Sequence, residues 1–121
     1  MKTLFCIICF LLLAPPIWSY EFAEKWKTQN TMLEVTFLGL WIADWHQTGL
    51  IVDNDEGWYE RNTTLGKNPS HKEVNMYFAL GALLHPLASM FLPSLTRLGW
   101  QYTSIGYEAR TVHLNLTIGL W

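Results

Sequence analysis

The sequence predicts an all-α membrane protein: a small bundle of about three transmembrane helices behind an N-terminal signal-like segment. Three observations predict it. Half of the 121 residues are hydrophobic and only 15% are charged, against about 25% charged in an ordinary soluble domain. One stretch, 74–96, runs for 23 residues without a single formal charge, longer than the roughly 20 residues that cross a bilayer as a helix. Tryptophan occurs seven times, and its amphipathic ring favours membrane–water boundaries.

The first 19 residues read as a signal peptide or a first anchor. Lys2 precedes an apolar run from 4 to 14, followed by Pro15-Pro16 and a small residue, Ser19. That is the order of a positive segment, a hydrophobic segment and a cleavage region. Both cysteines, Cys6 and Cys9, fall inside it, so a chain processed there would have no thiol for a disulfide or a zinc site. Residues 20–121 then form a single helical membrane domain, with the polar stretch 20–31 at its outer surface.

Within that domain three runs are long enough to span. The run 32–52 is mostly apolar but carries Glu34, Asp44, His46 and Gln47. The run 74–96 opens with Ser70-His71-Lys72-Glu73, an S-x-x-E capping box in which each partner satisfies a backbone N–H of the other. Pro86 inside it removes one helical hydrogen bond and predicts a kink. The run 98–121 is ambiguous. As a helix it places Glu108, Val112, Asn115 and Gly119 on one stripe, yet residues 111–120 also alternate polar and apolar as a strand does. A helix to about Asn115 with an extended tail reconciles the two. A β-barrel needs at least about eight such strands, which the chain lacks.

The connecting stretch 53–69 is polar and turn-rich. Arg61 and Lys67, with Lys72 just beyond it, make it the most basic part of the domain, which points to the cytoplasmic face. The expected location is the bacterial inner membrane, with the outer membrane as the alternative. Eight basic against ten acidic residues leave no basic field for nucleic acid. The expected partners are the lipid bilayer and either a second copy of the chain or another membrane protein.

The polar residues inside the runs need explaining, because a charge at the bilayer centre costs about 2.5–3.5 kcal/mol on insertion scales. Asp44 is the sharpest case. Gln47 and Thr48 follow at i+3 and i+4 and share its face. His85, Glu108 and Asn115 are the other intramembrane candidates. Asp44, His85 and Glu108 are chemically suited to an ion or proton site, whereas the alternative is a set of interhelical hydrogen bonds worth about 0.6–2 kcal/mol each. In the loop, Glu60 and Asn62 read as an interfacial site or as a turn with Asn62 as a helix-end residue. Trp41 and Trp45, at i and i+4, are expected to pack on one another. No catalytic residue, metal ligand or cofactor is expected: there is no paired-histidine motif. A Ser–His–Asp set drawn from Ser70 or Ser89, His85 and Asp44 lacks the nucleophile elbow.

Taken in order, Asp44-Trp45-x-Gln47-Thr48, Tyr59-Glu60-x-Asn62, Leu65-Gly66-x-x-Pro69-Ser70, Val74-Asn75-x-Tyr77-Phe78, His85, Leu92-Pro93, Trp100-Gln101-Tyr102 and Ile105-Gly106-x-Glu108-Ala109 resemble a family of small, uncharacterised integral membrane proteins of bacteria and phages. The resemblance covers about residues 40–119. Family members carry Asn-Pro after the loop glutamate, where this chain has Asn62-Thr63. The resemblance implies a membrane location and supplies no activity. The function expected is assembly with itself or a membrane partner. The rivals are a phage lysis-type permeability factor and an intramembrane carrier or enzyme using Asp44, His85 and Glu108.

Overall fold

The computed structural model describes residues 26–54, 57 and 59–121. The signal or anchor expectation for residues 1–19, with Cys6 and Cys9, lies outside the described residues. Three helices and no strand occur among the described residues: α1 (Thr28–Val52), α2 (His71–Phe91) and α3 (Ser94–Thr117).

Helix α1 starts four residues earlier than the hydrophobic pattern suggests. Asn30 is responsible. Its side-chain oxygen accepts the Lys27 backbone N–H at 3.0 Å, and its own N–H donates to the Lys27 carbonyl at 2.8 Å. The first turn is therefore closed by a polar side chain before any apolar residue is reached.

Helix α2 opens on the expected capping box. The Glu73 N–H donates to Ser70 Oγ at 3.3 Å, and the Ser70 N–H donates to Glu73 Oε2 at 2.8 Å. The helix runs through Pro86 without a break. It stops at Phe91, so the uncharged run does not form one helix to residue 96. Leu92 is extended, at φ −81° and ψ 141°, because the ring of Pro93 disfavours helical backbone in the residue before it. Pro93 then leads into α3.

The helix α3 resolves the ambiguous tail. The alternating segment is helical to Thr117 and ends in a Schellman motif. The Gly119 N–H donates to the Leu116 carbonyl at 3.1 Å and the Leu120 N–H to the Asn115 carbonyl at 3.1 Å, with Gly119 at φ +88°. Glycine adopts that left-handed backbone without a Cβ penalty. Leu120 is folded back and buried.

The two-residue Leu92–Pro93 link makes α2 and α3 antiparallel, and α1 is antiparallel to α2. Trp41 lies against Phe78, Trp45 against Asn75, and Glu34 against Ser89. Helices α1 and α3 run parallel in a constant register: Asn30 bonds Gln101 and Asp44 bonds Asn115, both 71 positions apart. Helix α1 is thus the shared partner, packing on α3 above all, while α2 and α3 touch little.

An aromatic band crosses the middle. Phe37, Trp41, Val74 and Phe78 are its buried members. The Trp41 Nε1–H donates to the Phe78 carbonyl at 2.8 Å, and the Trp45 Nε1–H donates to Asn75 Oδ1 at 2.9 Å. Both indoles rest on the Phe78 ring, at 4.8 and 5.9 Å, so the expected Trp41–Trp45 contact gives way to a shared one. The close approach of Trp41 depends on Gly81, where an added Cβ would overlap the indole and come within 2.8 Å of its Cε2.

By length and composition, only α2 among the described helices is suited to crossing a membrane, so three crossing helices do not follow from hydropathy.

Gly81→Ala should destabilise the bundle by about 1–3 kcal/mol through overpacking, even though alanine is the better helix former by about 1 kcal/mol. Thermal unfolding followed by circular dichroism tests this. An unchanged or raised midpoint would mean that Trp41 can leave Gly81 without loss.

Candidate functional site

Two polar clusters flank the aromatic band, one at each end of the bundle. The first joins Asn30 and Glu34 of α1, His85 and Ser89 of α2, and Arg97 and Gln101 of α3, all buried.

Glu34 is its centre. Oε2 lies 2.9 Å from His85 Nδ1, Oε1 accepts Gln101 Nε2 at 2.8 Å, and the Ser89 hydroxyl closes on Oε1 as well. Three donors on one carboxylate favour its ionised form. His85 therefore presents Nδ1–H, because an ionised carboxylate only accepts. The imidazole is held between two rings, with the Phe37 centroid at 3.6 Å and the Trp100 centroid at 4.9 Å. Its other nitrogen, Nε2, is buried and has no hydrogen-bond partner among the described residues.

Gln101 is fully buried and fully used. Its Nε2 reaches the Asn30 carbonyl at 3.1 Å besides Glu34, and its Oε1 accepts Asn30 Nδ2 at 3.0 Å. Arg97, only 1% exposed, secures the end of α2. Its Nε donates to the Ser89 carbonyl at 2.7 Å and Nη2 to the Leu92 carbonyl at 2.9 Å. In a continuous helix the Ser89 carbonyl would receive the N–H of residue 93. That residue is proline and has none, so the guanidinium supplies the missing donor and places a positive charge at the negative end of the helix dipole.

The second cluster lies beneath the loop. Asn115 Nδ2 donates to Asp44 Oδ1 at 3.0 Å and to Gln47 Oε1 at 3.1 Å, while Gln47 Nε2 reaches the Leu120 carbonyl at 3.3 Å. Thr48 is buried on the same side of α1. Glu108 is buried on α3 and within range of the Asp44 charge. In the loop, Glu60 Oε1 accepts the Asn62 N–H at 2.7 Å, and Asn62 Oδ1 accepts the Thr64 N–H at 2.9 Å. Leu65 and Gly66 both donate to the Asn62 carbonyl. Asn62 thus forms the turn expected of it, an Asx turn, and not a helix end.

The structure therefore brings Asp44, Gln47 and Asn115 to one end, leaves Glu108 seven residues short of Asn115 and level with Phe37 in the register of α1 and α3, and pairs His85 with Glu34 in the other cluster. The combined Asp44–His85–Glu108 site does not form. Nor does a hydrolase triad: the Ser89 hydroxyl sits between Glu34 and the His85 carbonyl, away from the imidazole, and Ser70 serves as a cap. Among the described residues, no group of three or more His, Cys, Asp or Glu side chains converges to hold a metal ion.

Sequence reasoning passed over Asn30, Arg97 and Gln101 as site residues, weighed Ser89 only for a hydrolase triad, and gave Glu34 no partner. A signal was present. Asn30, Glu34, Phe37, Trp41, Asp44 and Thr48 recur at steps of three or four, the helical period, with polar side chains inside the buried stripe.

Gln101→Leu should cost about 1–3 kcal/mol for each buried group left without its partner, felt at both Asn30 and Glu34. Tyr102→Phe removes only an exposed bond to Gln29 and should stay within about 0.5 kcal/mol of the parent. Denaturant unfolding of the two variants side by side provides the comparison. Equal midpoints would remove Gln101 from the structural core.

No protein-family profile, curated protein or solved structure matches the chain.

Proposed function

We propose that the chain is an integral membrane protein whose helices turn apolar faces to lipid and enclose their polar side chains, and that it acts by assembling with itself or with a membrane partner. The observation that carries this reading is an inverted interior. Among the described residues ten polar or charged side chains are buried against six apolar ones, Pro69 included, the reverse of a water-soluble core.

The outer surface is correspondingly apolar. Met32, Val35 and Ile42 on α1, Leu83 and Leu87 on α2, and Leu95 and Leu114 on α3 are all exposed. In water such a surface would be a large unpartnered patch. In lipid it is the favourable face, and polar groups pair with one another inside. Helix α3 is the least apolar of the three, with Arg97, Gln101 and Glu108 turned inward. Arg110 and His113, exposed near the end of α3, are close enough to the helix terminus for the arginine to extend toward the interface. Assembly is supported by the thin α2–α3 contact, which leaves apolar side chains of both helices available to a neighbour.

Alkaline extraction of membranes expressing the full chain tests the location. The protein should stay in the pellet and require detergent. Leu83, 63% exposed, sits near the middle of α2. Leu83→Lys should cost about 2.5–3.5 kcal/mol at the bilayer centre, a roughly hundredfold loss of membrane-integrated chain. On a water-exposed surface the same change would be neutral, and release of the parent protein into the alkaline supernatant would defeat the reading.

A further inference from the structure

Glu108 is only 4% exposed, and its Oε2 is buried without a hydrogen-bond partner among the described residues. A carboxylate oxygen in that position has lost water and gained nothing in return. The neighbouring groups deepen the problem. From α1, the buried Asp44 carboxyl acts on it directly, and the loop residue Glu60 adds a further negative charge on Asp44. From α2, the Tyr77 phenol lies within electrostatic range of Asp44 and Glu108 and close to Asn62 of the loop. From α3, Tyr107 lies beside Glu108 in sequence and also bears on Tyr77. The ion pairs of the described residues join Glu34 to His85 and Asp53 to His71, so no basic side chain there balances Asp44 or Glu108.

Two buried carboxyls within range of one another do not both keep a full charge in a medium of low dielectric. Either a cation or a proton must enter. The described side chains do not converge as a metal site needs, which leaves the smaller ligand.

We infer that Glu108, buried with an unpartnered carboxylate oxygen, is a proton-binding site that takes up one proton. The proton resides on Glu108. Asp44 keeps the Asn115 amide as a donor at 3.0 Å, which suits an ionised acid, whereas Glu108 has no donor that would stabilise a charge. Uptake is a simple balance: one carboxylate and one proton from solution give one neutral carboxylic acid. The loop side is where it exchanges, because Tyr77 lies close to Asn62 there and Glu60 lies within range of Asp44.

Infrared difference spectroscopy of the purified full chain, stepped between neutral and alkaline pH, tests the site. The parent should show the C=O stretch of a buried protonated carboxylic acid that disappears on the alkaline side. Glu108→Gln, which keeps the shape, should remove that band while leaving the helical circular dichroism intact. Asp44→Asn should keep the band but weaken proton binding at least tenfold, because the neighbouring negative charge is gone. Glu60→Gln, at the loop, should retain it. The inference is overturned if no such band exists, if it survives Glu108→Gln, or if added calcium or sodium abolishes it at neutral pH. The measurement works in detergent or in plain buffer. A chain that proves water-soluble yet shows the band would lose the membrane reading and keep this one.

Discussion

The fold depends on how the bundle accommodates the carboxylate of Glu34. Buried on α1, it has to be given hydrogen-bond donors or be left at a cost of several kcal/mol. The donors come from both other helices: His85 and Ser89 from α2 and Gln101 from α3. One residue thereby sets the rotation of all three helices about their axes and their relative height. Hydrophobic packing alone is less specific, and in lipid it provides no drive toward association. The same cluster explains the register. Gln101 can serve Glu34 and Asn30 together only if α3 lies parallel to α1 at one offset, and Asn115 then falls opposite Asp44 with no further adjustment.

The two ends of the bundle use their polar groups differently. At the Glu34 end nearly every donor and acceptor is matched, and even the gap left by Pro93 in the α2 ladder is filled by Arg97. This is a structural network, rigid because satisfied. Among the described residues its one open atom is Nε2 of His85, enclosed with the ring between Phe37 and Trp100. Toward the loop end, by contrast, acids gather with too few donors. Asp44 has Asn115, while Glu108 lies within range of the Asp44 charge and the Tyr77 phenol. A site that must change charge to be stable belongs where the matching is incomplete, and Glu108, level with Phe37 in the register of α1 and α3, takes no part in the hydrogen bonds that hold the helices together.

Much of this was legible in the residues. The α2 cap follows from Ser70 and Glu73, and the α2–α3 break from Pro93. The buried face of Asp44 and Gln47 follows from their spacing, as does the inward stripe through Glu108 and Asn115. The tail was harder, because its alternation fits a strand and only the Gly119 left-handed turn, closing on Asn115 and Leu116, marks it as a helix terminus. The Glu34 cluster was harder still. Ser89 and Gln101 are unremarkable polar residues taken singly. They acquire meaning only once the usual rule, apolar side chains inward, is read with its sign reversed.

Local chemistry along the chain was enough to determine the helical class, the capping of α2 and the turn at Asn62, since each depends on neighbours within about one helical turn. Which of those side chains meet was decided only in three dimensions. His85 lies 23 positions from Glu108, yet it pairs with Glu34, 51 positions away. Helix direction and rotation determine that choice, and these are collective properties of the three packed helices that no local pattern encodes.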